Sequence, residues 1–148
     1  MGLSTAALAR LKEIAARQIK NDRPLDQDPA FAARLVKVEI DLDNMHTTNL
    51  RVVAAIAGGG VPGAESSMLK ICGTQICQEI TSLTRCAMGI YPHPYSAGIM
   101  RADYEGQPIG PGGFDTAAAQ YFNNRKLSIL GGSNETQKNI ISKMIFGL

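Results

Sequence analysis

Ile129-Leu130-Gly131-Gly132-Ser133-Asn134-Glu135-Thr136-Gln137-Lys138-Asn139-Ile140-Ile141, running on to Phe146-Gly147-Leu148, reads as a tight glycine turn that opens a terminal amphipathic helix. Gly131 and Gly132 carry no Cβ, so the backbone can turn sharply and approach a ligand closely. Asn134, or Ser133, is placed to accept from the first amides of the helix, and Asn134 with Gln137 has the spacing of a capping box. The amides and dipole at such a helix start favour an anion. Residues Gly131, Gly132, Ser133, Asn134 and Glu135 are therefore the candidate binding corner.

Working back from that helix, apolar residues recur at spacings of three and four, which is the helical period. Ser4 to about Lys20 carries Leu8, Leu11, Ile14 and Ala15 on one face. Pro24 breaks this segment, because it lacks an N–H and restricts the residue before it. Asp28-Pro29 reads as an N-cap plus first-turn proline, opening a long helix to about Gly58. Its seam is Leu35, Val38, Leu42, Met45, Asn49, Val52 and Ile56, with Asn49 as a register-setting polar residue.

A third helix is expected from about Ala64 to Gly89, with Leu69, Cys72, Ile76, Ile80, Leu83 and Ala87 on its apolar face. From Ile90 to Gly113, Pro92, Pro94, Pro108, Pro111 and many glycines make a long loop. Asp115 is expected to cap a fourth helix reaching about Ser128, and the fifth runs from Asn134 to Phe146. No strand is expected. The fold class is all-α, an antiparallel up-down helical bundle occupying residues 1–148 as one domain.

Composition excludes several function classes. The net charge of +2 is spread without a basic stripe, so no nucleic-acid footprint is present. No apolar run is long enough to span a membrane, and Met1 to Lys20 is charged and amphipathic, unlike a signal peptide. Cys72, Cys77 and Cys86 show no C-x-x-C spacing and read as free buried thiols in a reducing cytoplasm. His46 and His93 have no ligand-spaced neighbours, so no metal site is expected. Ser4, Ser66 and Ser67 lack a nucleophile-elbow context. Met68, Met88 and Met144 read as core filler.

The tail closely resembles the C-terminal signature of the acyl-CoA dehydrogenase family, in which a Gly-Gly-Ser/Thr-Asn/Ser-Glu-Ile-Gln-Arg-Asn-Ile-Ile run ends in Leu-Gly-Leu. Gly2-Leu3-Ser4 through Ala15, Asp22-Arg23-Pro24-Leu25, Asp28-Pro29, Thr48-Asn49-Leu50-Arg51, Ser67-Met68-Leu69-Lys70-Ile71 and Gly73-Thr74 resemble the same family in the same order. The resemblance covers essentially the whole chain, and the nearest subgroup is bacterial and pimeloyl-CoA-dehydrogenase-like. It implies the C-terminal helical domain of a flavin-dependent enzyme that desaturates an acyl-CoA substrate between Cα and Cβ and passes electrons to an electron-transfer flavoprotein. It also implies FAD as cofactor, a homo-oligomer (dimer or tetramer), and N-terminal helical and middle β-domains that are absent here. The beginning at Met1-Gly2-Leu3 falls part-way through a family segment, as in a truncation.

The resemblance also carries site residues over by position. Residues touching the flavin map to Ser133, Asn134 and Glu135. A Tyr-Glu-Gly-Thr precedes the terminal helix in many members, its Glu serving as the α-proton base; Leu130 and Gly131 stand at the Tyr and Glu positions here. Glycine cannot take a proton, so no catalytic residue is assigned in this chain, and the base is expected upstream of Met1. Tyr104-Glu105-Gly106 spells part of that motif inside the proline-rich loop, the wrong context for it. A family Gln-x-x-Gly-Gly is replaced by Cys86-Ala87-Met88-Gly89-Ile90, and a pyrophosphate-binding Arg falls at about Gln18, beside Arg17. The second reading is a stand-alone assembly module of the same ancestry, without catalysis.

Overall fold

A computed structural model describes residues 2–94, 98–99, 101–107, 109–112 and 114–147. The sequence readings that fall on Met1, Pro108, Gly113 and Leu148 lie outside the described residues. Five helices form an antiparallel bundle: α1 (Gly2–Arg17), α2 (Pro29–Ala57), α3 (Glu65–Ala87), α4 (Ala117–Asn124) and α5 (Asn134–Phe146). The expected all-α class and the five helices are present.

α3 is the central element. It packs against α2 and takes α1, α4 and α5 along its length, whereas α1 makes much less contact with α2. The core is where α1 and α2 lie on α3: Leu8, Leu11, Leu35, Val38, Ile80 and Leu83 are buried together. Leu11 and Leu83 are wholly excluded from water. A buried leucine contributes about 1.5–3 kcal/mol through loss of apolar surface from water, so this crossing dominates the domain's stability. α2 and α3 meet at Gly73, where a Cβ would sit 3.4 Å from the Met45 sulfur, an ordinary contact distance.

Two local devices start α2. Asp28 accepts from the Phe31 amide at 3.0 Å, and Pro29 occupies the first turn, where its missing N–H is harmless. Lys20 donates to the second oxygen of the same carboxylate at 2.8 Å. The Lys20 hydrogen bond, then the Phe31 amide, holds the Asp28 carboxyl below the usual carboxylate range.

Several expectations are corrected. α1 ends at Arg17, short of Lys20, because the chain turns into a two-residue antiparallel hairpin, β1 (Ile19–Lys20) with β2 (Arg23–Pro24). Its turn residues Asn21 and Asp22 both have positive φ, 52° and 58°, as a type I′ turn requires. Asn and Asp tolerate that conformation better than other non-glycine residues, so a short strand pair exists where none was expected. The Asp115 cap does not form either: Thr116 stands at the N-cap of α4 with no side-chain cap bond, and α4 tightens into a 3₁₀ turn over Arg125–Ser128.

The cysteines are free but not buried. Cys72 and Cys86 are exposed, and Cys77 is half-buried with its sulfur 3.8 Å from the Ser4 hydroxyl. Met88 is core as expected, but Met68 and Met144 are about half exposed. The α2 seam is buried only as far as Met45; Asn49 and Val52 are half-covered and Ile56 is exposed. Beyond Met45, α2 outruns its partners within this chain.

Candidate functional site

The corner between α4 and α5 is built by backbone conformation. Gly131 and Gly132 have φ of 70° and 90°, values that L side chains rarely adopt, and so they reverse the chain in two residues. A Cβ at Gly132 would lie 2.7 Å from the Gln137 side-chain nitrogen, while one at Gly131 would meet nothing. Gln137 reaches back over the turn, its Nε2 donating to the Gly131 carbonyl at 3.4 Å.

The cap is Ser133, one residue earlier than the capping box placed it. Its hydroxyl accepts from the Thr136 amide and lies 3.2 Å from the Thr136 hydroxyl. Asn134 is thereby the first helical residue, and its side chain turns away from the helix amides. Lys70 on α3 donates to Asn134 Oδ1 at 2.8 Å and to the Leu127 carbonyl at 3.3 Å. This lysine pins the corner to the bundle. The sequence does not show this role, because its partners lie 57 and 64 positions away.

α3 supports the same corner a turn at a time. Thr74 donates to the Lys70 carbonyl, and Gln78 donates to the Ser128 hydroxyl at 2.8 Å and to the Asn124 carbonyl at 3.2 Å. Behind the corner lies a cleft of about 440 Å³ lined by Ser4, Asn49, Lys70, Thr74, Cys77 and Leu127, among others.

The helix start is electrostatically occupied. The Glu135 carboxyl is held below its ordinary range by its own backbone N–H first, then by the Ser133 hydroxyl, with Lys138 and Lys70 adding attraction. The carboxylate shares this helix start with the Ser133 cap on the Thr136 amide. The corner is a turn with exposed glycine backbone and the hydroxyl and amide groups of Ser133 and Asn134.

The other candidates behave as surface groups. Gly131, where the resemblance implied the base position, carries no titratable group. Glu105 and His93 are exposed in the loop, and His46 is exposed on α2. Among the described residues no cluster of His, Cys, Asp or Glu could hold a metal ion. Arg17 is exposed at the end of α1 and Gln18 is half-buried beyond it. Of the stretch replacing Gln-x-x-Gly-Gly, Ala87 and Met88 are buried and Gly89 turns the chain at φ 65°. Among the described residues no helix is long and apolar enough to cross a membrane.

A five-helix domain whose last helix opens on a left-handed glycine pair is the class that fold and site define. The chain belongs to the acyl-CoA dehydrogenase C-terminal domain family, whose profile, "Acyl-CoA dehydrogenase, C-terminal domain", matches residues 1–146. That family is one of oxidoreductases.

Solved structures share the fold. Butyryl-CoA dehydrogenase from Megasphaera elsdenii superposes with a TM-score of 0.71 at 14% identity, covering 98% of this chain and 33% of its own. A chain in the structure described as the electron transferring flavoprotein of Acidaminococcus fermentans gives 0.72 at 14% identity, covering 96% of this chain and 33% of that one. The FAD complex of PigA gives 0.72 at 15% identity, covering 95% and 32%. The chain thus spans about a third of the length of these structures. No curated protein matches it in sequence.

Proposed function

We propose that this chain is the C-terminal helical domain of a flavin-dependent acyl-CoA dehydrogenase of the pimeloyl-CoA-dehydrogenase-like kind, and that residues 131–135 form one wall of its flavin pocket. The observation that carries this is the pair Gly131-Gly132 in left-handed backbone, leading directly into the Ser133-capped start of α5. Family membership and the FAD complex among similar folds support FAD as the cofactor. When bound, FAD supplies the hydride acceptor for α,β-desaturation of an acyl-CoA thioester.

This chain's own contribution is positional. Gly131 and Gly132 keep side chains out of the turn, Ser133 and the exposed backbone offer hydrogen bonds, and Lys70 fixes the corner through Asn134. The proton from the α-carbon goes to a carboxylate at another position, because Gly131 cannot accept it. Electrons pass to an electron-transfer flavoprotein, a partner supported by the similar fold in such a structure. The setting is cytoplasmic.

The second reading, a non-catalytic assembly module, is favoured by the apolar residues left uncovered on α5, where Phe146 is 72% exposed. Under either reading these faces meet further copies of the chain in a dimer or tetramer. Titration with FAD, followed by flavin fluorescence with the mass in solution recorded, separates the two. Saturable binding that weakens in Ser133→Ala and Gly132→Val supports the flavin wall. A folded oligomer that takes up no flavin leaves the assembly module.

A further inference from the structure

Arg85, Tyr121 and Arg125 form a cluster that the glycine corner does not use. Arg85 lies in the last turn of α3, Tyr121 on α4, and Arg125 at the start of the 3₁₀ turn that continues it. The guanidinium carbon of Arg85 is 4.7 Å from the centre of the Tyr121 ring, and that of Arg125 is 4.6 Å from the same centre. Both charges are held to one ring, so they lie nearer each other than the ~10 Å over which 0.1 M salt screens. Like charges this close repel unless something neutralises them.

Elsewhere the chain supplies partners: Arg34 pairs with Glu79, and Arg101 with Asp103. Among the described residues no carboxylate reaches ion-pair distance of Arg85 or Arg125. The Nε of Arg85 is also buried without an acceptor. The dipole at the end of α3 accounts for a cation at that position, but it leaves this N–H unmet. Arg125 is anchored by one bond, its Nη2 donating to the Gln78 carbonyl at 3.1 Å. Most of its five donors stay uncommitted. Exposed Lys126 follows Arg125 in the chain.

We infer that Arg85, Tyr121 and Arg125 bind a phosphate-monoester group. Two guanidiniums call for a dianion, and a single carboxylate neutralises only one of them. A phosphate monoester carries about −1.5 to −2 charges at pH 7 and three acceptor oxygens, enough to meet both guanidinium forks. Phe122, 61% exposed and edge-on to Tyr121 at 5.4 Å, offers an apolar surface to whatever the phosphate is attached to. Arg85 lies ~22 Å along α3 from Lys70 at 1.5 Å per residue, so the Arg85 end of the site stands away from the lysine that holds the glycine corner.

The test is calorimetric titration of the whole chain with inorganic phosphate at constant ionic strength set by chloride. The variants are Arg85→Gln, Arg125→Gln and the two together, with exposed Lys138→Gln on α5 as the control. Saturable one-to-one binding is expected, weakened about tenfold in each single variant, lost in the double variant and unchanged in Lys138→Gln. Absence of saturable binding by the folded chain, unchanged affinity in the double variant, or an equal loss in Lys138→Gln each overturns the assignment. Succinate binding as tightly as phosphate overturns the choice of a phosphoryl group. Circular dichroism accompanies each variant; if Arg85→Gln unfolds, Arg85→Lys carries the test, because it keeps the charge and loses the fork, and wild-type affinity in it counts against the site.

Discussion

Two stretches of α3 hold helices of opposite character. Toward its C-terminal half α3 packs under α1 and the first half of α2, and Leu11, Ile80 and Leu83 are sealed from water. α5 also lies on α3, yet none of its residues is buried, and Ile140, Met144, Ile145 and Phe146 remain open. The apolar period is similar in both. The difference lies in whether a second layer from the same chain closes over it. α1 is closed from two sides, whereas α5 is tied to α3 by the Lys70–Asn134 hydrogen bond.

Breaking that contrast starts in the core. Leu83→Ala is expected to cost about 3–4 kcal/mol in urea unfolding, through lost transfer energy and a cavity. Ile145→Ala on α5 should change the monomer's stability by under about 0.5 kcal/mol and show itself in the mass in solution instead. Equal losses at the two positions would mean that α5 is core after all.

Gly131→Ala should cost about 1–2 kcal/mol, from left-handed strain alone, because space around it is open. A neutral outcome would mean that the turn relaxes to another conformation. Ser133→Ala should cost about 1 kcal/mol as a lost cap, with Asn134→Ala costing less. The reverse order would return the cap to Asn134.

The smallest effect is one of pH. Asp28 has a carboxyl pKa lowered in the folded state, so its ionised form favours folding. That stability is present above the unfolded value of about 3.9 and is lost as pH falls through the lower folded value. Asp28→Asn, which can still cap, should flatten the decline of unfolding free energy below pH 4. An unchanged slope would assign acid sensitivity to other carboxylates.

The fold was legible where the chain supplies both sides of a contact. Leu35, Val38, Leu42 and Met45 announced a buried face and form one. Val52 and Ile56 continue the same period but lie exposed or half-exposed, because periodicity reports an apolar face and not its cover. Asn21-Asp22 concealed the hairpin, since the motif that would have flagged it is Asn-Gly or Asp-Gly. The glycine turn of the candidate site was legible from Gly131-Gly132 themselves. Which oxygen caps α5 was not, because Lys70, from far back in the chain, draws Asn134 aside. The arginine pair around Tyr121 was invisible for the same reason: α3 and α4 are separated by the long loop.

The preference of α1 for α3 over α2 has a consequence for the order in which the molecule assembles. As the polypeptide leaves the ribosome, α1 emerges with its apolar face ready and its principal partner still unmade. α2 and α3 are joined by a short turn and can zip together at little loop-closure cost. α1 then has to be captured across the span of α2. Truncations at Leu11 should therefore accelerate unfolding and leave the refolding rate nearly unchanged in stopped-flow kinetics, while those at Met45 and Ile76 slow refolding. Until α3 is complete, Leu8, Leu11 and Ile14 stay uncovered, which makes the nascent domain a client for chaperones that shield short apolar segments.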